Sequence, residues 1–579
     1  MSSPRHLADR FHRRWLETHP LAATSYGIPG YDDRVPDDSE AGDQEWRAEV
    51  LAFVGEADSV DRSGLALGDV VTLDCLVEAA AQEVSAVDSA PLEHTVTAMP
   101  FSDPGFFLAV AARSVMVDAA AAEAYVTRLR GAGRWIDQLS DRLRAGAAKG
   151  CLPVAPLMER AVAWGDGLLS PPAPAPLLAP RPPERWDGAP AWEEERLRAA
   201  ADVVRPALAR WVATVRDLLP AGRDSDHPGL CHIPGGEEDY RRAVRAHTTL
   251  DASPERLHRT GLHEIAVLED RARQIGGRLG LASLQEVFAA VAASAGQQSP
   301  EDAIALAVSA IRRAEGRAPE IFPGPLPAPC AVTPMPSVVA SSGAAPHYTP
   351  PRLDGGRPGT FWFNTEVPTA GTGWDLEVVA FHEAVPGHHL QLSRVQLLTD
   401  LPALQRQRSL TVFSEGWGLY AEQLAEEVGL YSDAHSLLGA VTASLMRAAR
   451  LVIDTGLHAF GWTRQEALAY FSSHVPLPAS FLSAEVDRYI VMPGQALSYL
   501  TGKLELLGLR AEAQKALGSA FSLPAFHAAV LDRGSLPMPV LRTSIRAWVD
   551  DTLSAGRGPA GGGRPGGSEA AGGSAPPGA

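Results

Sequence analysis

Phe381-His382-Glu383-Ala384-Val385-Pro386-Gly387-His388-His389-Leu390 decides the reading of this chain. Three histidines and a glutamate fall within eight positions of it. Neutral imidazoles hold a zinc ion, and a neighbouring carboxylate takes a proton from the zinc-bound water. The usual helical form, H-E-x-x-H, sets both histidines on one face, one turn apart. Here Pro386 fills the one-turn position, and proline ligates nothing. On an unbroken helix His388 would lie roughly 120° round from His382 and about 9 Å along the axis, beyond the reach of a shared ion. Proline and glycine are the residues best able to break a helix. The sequence therefore predicts a break at Pro386-Gly387 that turns the chain back and presents His388. His389 stands as an alternative second ligand or as a supporting residue.

A zinc site of this type needs a third protein ligand. In the gluzincin peptidases it is a glutamate on a following helix, some tens of residues on. The stretch Phe413-Ser-Glu-Gly-Trp-Gly-Leu-Tyr-Ala-Glu422 offers Glu415 at a suitable distance, with Glu422 two turns on as the reserve. Phe413, Trp417, Tyr420 and Leu424 recur at helical spacing and are expected in the core.

The run H-E-A-V-P-G-H-H-L-Q followed by E-G-W-G-L-Y-A-E resembles the bacterial family known as domain of unknown function 885, which is related in pattern to gluzincin metallopeptidases. The likeness continues through Leu353 to Thr365, Arg447 to Trp462, Arg488 to Lys503, Phe526-His527 and Gly534 to Pro537. It is strong over residues 230 to 550 and loose in the N-terminal third, through Thr18 to Gly27. The resemblance implies a mainly α, large helical zinc-metallopeptidase-like fold, with a small β region beside the active-site helix. It is similar in outline to thimet-type oligopeptidases and carboxypeptidase Taq, and it implies hydrolysis of peptide or amide bonds. His382, His388 and Glu415 are then expected to hold one Zn²⁺, and Glu383 to act as general base. Tyr489 and Arg488, downstream of the third ligand, are expected either to donate to the developing oxyanion or to form a structural ion pair and a packed ring. Gln495 and Tyr499 are expected to line the same cleft.

Other features support this frame or stand outside it. Residues 321–367 change character: prolines and glycines punctuate short apolar runs, which read as strands and loops. A strand at Thr360, Phe361, Trp362, Phe363 and Asn364 is expected either to take the substrate backbone as an added strand, with Thr360, Trp362 and Asn364 as binding residues, or to be an ordinary internal strand. Arg447, Arg450 and Asp454 share a helical face at i, i+3 and i+7. They suit either the support of metal ligands or a buried ion network. His458 and His527 read as structural. The second H-E pair, His263-Glu264, has no histidine following at useful spacing.

Composition bounds the rest. The chain has 579 residues, 45% hydrophobic and 21% charged, with a net charge of -18. These are the proportions of a soluble globular protein able to bury a large core. The acidic balance argues against nucleic acid, which needs a basic face. No uninterrupted apolar run reaches the roughly 18 residues of a membrane span. The first residues carry charge but no apolar signal region, so the expected location is cytoplasmic. The four cysteines, Cys75, Cys151, Cys231 and Cys330, are scattered and read as free thiols. The expected organisation is an N-terminal helical region (1–225), a catalytic helical region with the zinc motif (226–554) and a disordered Gly/Pro/Ser/Ala tail (555–579). The expected activity is zinc-dependent hydrolysis of a peptide or small amide. The contrasting class is a non-catalytic helical binding protein that keeps the scaffold. His and carboxylate ligands would also suit iron, manganese or nickel.

Overall fold

The computed structural model describes residues 3–171, 174–294, 298–335, 345–353, 355–365 and 373–556. The tail from residue 557 on lies outside them. Helices dominate, and their ends follow local chemistry. The expected start at Asp251 to Glu255 is realised: Ser253 caps the helix Pro254–Arg278 by accepting from the Arg256 N–H, with proline in the first turn. The single helix expected over residues 5–27 is instead two, Pro4–Thr18 and Pro20–Tyr26. Pro20 disfavours helical backbone at the residue before it, and His19 sits at φ -119°, ψ 58°.

Packing does not divide at residue 225. The largest core joins Leu7, Phe11, Trp46 and Leu76 to Phe361, Phe381, Trp417, Tyr420 and Leu541. The first helices thus share a core with the histidine motif. A second core gathers Leu21 with residues between Val96 and Val215. A third joins residues between Val154 and Ile265 to those between Leu445 and Leu500.

Six helices of the C-terminal half frame the motif: Leu376–Glu383, His388–Leu397, Thr411–Glu427, Ala434–His458, Ala479–Val491 and Ser498–Leu517. Thr411–Glu427 and Ser498–Leu517 cross in close contact, because Gly416 and Gly502 face each other at the crossing. A methyl group on Gly416 would come within 2.6 Å of the Gly502 Cα. Ala434–His458 is long and apolar enough, by length and composition, to cross a membrane. Its most apolar window is 72% buried inside the protein, as in a core helix.

Among the described residues there is one sheet of three short strands, β1 (Ala331–Pro334), β2 (His347–Thr349) and β3 (Thr360–Phe363), in the order β1-β3-β2. β3 pairs parallel with β1, Ala331 opposite Thr360, and antiparallel with β2, His347 opposite Trp362. This corrects the added-strand expectation. β3 is paired on both sides, by β1 along Thr360–Phe363 and by β2 along Thr360–Trp362, so it is an internal strand, without the free edge an added strand would need. Thr360 and Asn364 are buried, and the Trp362 indole donates to the Thr349 hydroxyl. The four cysteines form no disulfide.

Candidate metal centre

The motif helix ends at Glu383, and Ala384 leaves helical geometry at φ -108°, ψ -110°. The Val385-Pro386 bond is cis, and a new helix starts at His388. The break falls at Pro386-Gly387, as the residue types require. Gly387 permits the turn because its Cα lies against the backbone it has just left. A Cβ there would fall 1.9 Å from the His382 carbonyl oxygen and 2.4 Å from that of Phe381. The Trp417 indole donates to the Pro386 carbonyl at 2.9 Å and pins the turn to the Glu415 helix.

This turn brings the His382 and His388 rings together edge to face, centroids 4.6 Å apart at 81°. Glu415 joins them. One ligand atom from each residue lies within 4.8 Å of the others. Glu415 Oε2 stands 3.4 Å from His382 Nε2 and 3.6 Å from His388 Nε2. Ligands held 2.0–2.2 Å from a tetrahedral zinc stand about 3.4 Å apart, so the two separations suit that ion.

The Glu415 helix presents a stripe to His382, made of Glu415, Gly418 and Glu422 at i, i+3 and i+7. Glu415 faces Nε2. Glu422 takes the other nitrogen: its Oε1 accepts from Nδ1–H at 2.8 Å. Gly418 leaves room for the ring between them, since a Cβ there would lie 2.6 Å from Cε1. A carboxylate on the far nitrogen of a metal-binding histidine fixes its tautomer and orientation. Glu422, expected as a reserve ligand, instead takes the His382 nitrogen that faces away from Glu415, and its spacing from Glu415 is the signal that could have shown it. Ser414 Oγ lies 3.4 Å from His388 Nδ1.

The electrostatics ask for a cation. Burial opposes a charge on His382, yet Glu415 and Glu422 outweigh it and hold its pKa up at about 10. Burial likewise opposes the charge on Glu415, but the two histidines hold it well below the usual carboxylate range. Glu383 adds a third carboxylate. Its Oε2 is buried without a hydrogen-bond partner among the described residues. A buried carboxylate oxygen without a donor is costly unless a ligand supplies one. Two imidazoles, a carboxylate ligand and an unpartnered carboxylate beside them fit a divalent metal with a bound water.

The remaining expected residues fall elsewhere. His389 leaves the cluster: Nδ1 contacts the Tyr348 hydroxyl at 3.0 Å, and Nε2 donates to the Ala328 carbonyl at 2.8 Å. Tyr489 and Arg488 gather with Gln495, Tyr499, Arg450 and Glu485 in a second polar cluster. The Tyr489 hydroxyl is buried; it donates to Glu485 at 2.7 Å and accepts from Arg450 Nε at 3.1 Å. Arg488 grips Glu485 through two nitrogens, each at 3.0 Å, and donates a third hydrogen bond to Gln495. In this arrangement the Tyr489 hydroxyl holds Glu485, which matches the expected structural ion pair and packed ring. Asp454 accepts from the Tyr240 hydroxyl and the Gly494 N–H, which fixes the Pro493-Gly494 turn. His458 and His527 each engage both ring nitrogens inside the core. A cavity of about 210 Å³ runs along the His388 helix beside Gln391, Leu392 and Val395.

The comparisons with known proteins bear on the fold and the family. A crystal structure described as "the putative lipoprotein from Colwellia psychrerythraea" is 26% identical, with a TM-score of 0.86 over 95% of this chain and all of that one. A second structure, "a putative lipoprotein of unknown function from Shewanella oneidensis", is 16% identical, with a TM-score of 0.71 over 94% of this chain and 99% of its own, and shares the fold. The comparison with curated proteins gives no match. The pattern of the family described as "Bacterial protein of unknown function (DUF885)" matches residues 20–545, and the chain belongs to that family.

Proposed function

We propose that this chain is a zinc-dependent hydrolase of peptide or amide bonds. The observation that carries the reading is the pairing of a three-residue ligand set, His382, His388 and Glu415, with the unpartnered buried carboxylate of Glu383. Three protein ligands suit a catalytic zinc, which keeps a fourth position for water, polarises a carbonyl and lowers the pKa of that water. Glu383, one residue after the first ligand, accepts the proton and hands it to the leaving amine. Glu422 keeps Nδ1 of His382 protonated and leaves Nε2 free for the metal. The Pro386-Gly387 turn holds the second imidazole against the first. A site that only held a structural metal would have no use for Glu383. Peptides and small amides are the substrates this chemistry suits.

The test is zinc content together with turnover of a mixed peptide library, for the parent and for Glu383→Gln. About one zinc per chain in both, with turnover in the parent alone, is expected. No stoichiometric metal in either protein after zinc is offered would refute the site. Zinc in both with no turnover in either would favour the binding-protein reading.

A further inference from the structure

The helix Ala434–His458 carries Arg447 and Arg450 on one face, one turn apart. Each keeps a guanidinium nitrogen that is shielded from water and has no partner among the described residues: Nε of Arg447 and Nη1 of Arg450. Arg447 spends one donor on the Ala443 carbonyl of its own helix and approaches Glu422 only at 3.7 Å. Glu422 is already committed to His382 at 2.8 Å. Arg450 donates to the Tyr489 hydroxyl and to Glu485, and lies 4.2 Å from the centre of the Tyr499 ring. Glu485 in turn is shared with Arg488. Three guanidiniums therefore draw on Glu485 and on a carboxylate that belongs to the metal centre. Lys503 adds a fourth cation, its pKa pushed down by burial. The two orphan nitrogens, Nε of Arg447 and Nη1 of Arg450, have no carboxylate committed to them among the described residues. Arg447, Arg488, Tyr499 and Lys503 keep part of their surface exposed, so its edge reaches solvent.

We propose that the Arg447–Arg450 face binds a free carboxylate of the substrate, so that the metal centre acts on amides bearing one, such as the C-terminal residues of a peptide. This rests on the hydrolase reading above. Two orphan donors from neighbouring guanidiniums suit a planar carboxylate with two acceptor oxygens. A phosphate dianion fits less well beside Glu485 and Glu422. The chain of contacts from His382 through Glu422 to Arg447, then three residues of helix (a rise of about 4.5 Å) to Arg450, places the anchor within a few residues' reach of the reacting bond.

The experiment uses the zinc-loaded full chain of Glu383→Gln, in which binding is read without turnover. Two pools of N-terminally fluorescent mixed tripeptides are titrated by anisotropy, one with free C-terminal carboxylates and one with C-terminal amides. The free acids should bind at least about tenfold more tightly, the size expected for a charge-assisted pair. The gap should close in Arg450→Lys and in Arg447→Gln, each checked for zinc content and cooperative melting. Acids and amides bound alike, including no binding of either pool, would overturn the anchor while leaving the hydrolase intact if the parent cleaves the library. Competition by millimolar inorganic phosphate that disappears in both variants would overturn it in favour of a phosphate site. Loss of zinc from the protein would instead refute the hydrolase reading.

Discussion

Gly418→Ala probes whether the His382 ring is held where a metal needs it. A Cβ on residue 418 would lie 2.6 Å from Cε1 of His382 and 2.9 Å from each ring nitrogen. Non-bonded carbon atoms rest about 3.5–4.0 Å apart, so the ring must retreat by about 1 Å. It has nowhere to go. The ring is buried, Glu422 binds Nδ1 at 2.8 Å, and the His388 ring stands 4.6 Å away. Metal–ligand distances tolerate only about 0.2 Å, roughly a fifth of that displacement. Overpacking of this kind costs about 1–3 kcal/mol of stability, which a chain with so large a core survives. Misplacing a ligand should cost zinc affinity at least as much as losing its orienting partner, about 10–100-fold. The assay is competition with a chromophoric chelator, with thermal melting run in parallel. Gly508→Ala serves as control. Its helix lies beside the site, a Cβ there meets nothing within 4 Å, and it should bind zinc like the parent. A folded Gly418→Ala with parental zinc affinity would refute the assignment of His382 as a ligand.

Other outcomes follow from the same geometry. Glu422→Gln keeps an acceptor for His382 Nδ1 but removes the charge, and zinc affinity measured by the same competition should fall about 10–100-fold. An unchanged affinity would reduce Glu422 to packing. Gly387→Ala drives a methyl group onto the His382 and Phe381 carbonyls, and should cost about 4 kcal/mol or more in urea unfolding. A small loss there would mean that the turn is soft. His458 accepts from the Leu230 N–H through Nδ1 and donates to the Tyr489 carbonyl through Nε2, and burial pushes its pKa down to about 4. The unfolded chain binds this proton near pH 6.5 and the folded chain only near pH 4, so stability present above pH 6.5 is lost as pH falls through that window. The loss is about 3 kcal/mol. His458→Gln, which offers a donor and an acceptor without titrating, should lose less between pH 7 and 4.5. Equal losses would place the acid sensitivity elsewhere.

The legible parts of the site were those set by backbone chemistry near the residue concerned. Pro386 and Gly387 announce a broken helix whatever surrounds them, and the break supplies the convergence of His382 and His388 that regular geometry forbids. Glu415 was legible because its spacing could be set beside a known pattern. Glu422 was visible only as a reserve ligand. Its work depends on which side of the His382 ring the second helix passes, and that is fixed by the Gly416–Gly502 crossing. β3 read correctly as a strand, but whether it lay at an edge or inside the sheet stayed open. Strand propensity is local, whereas its two partners come from about 30 residues before it and from just upstream. Which of its two expected roles Tyr489 takes was settled only when Glu485 and Arg450 closed on its hydroxyl.

By itself, then, the sequence determined a mainly helical chain, a helix broken at Pro386-Gly387 and a His-His-Glu set with a neighbouring carboxylate. Periodicity, helix breakers and ligand types act over a few residues and survive reading in one dimension. Only the tertiary structure decided which carboxylate holds His382, that His389 turns away to Tyr348, that the first helices share the motif's core, and that Arg447 and Arg450 keep donors without partners among the described residues. Those outcomes depend on contacts between segments far apart in the chain, where the identity of each residue is known but its neighbour is not.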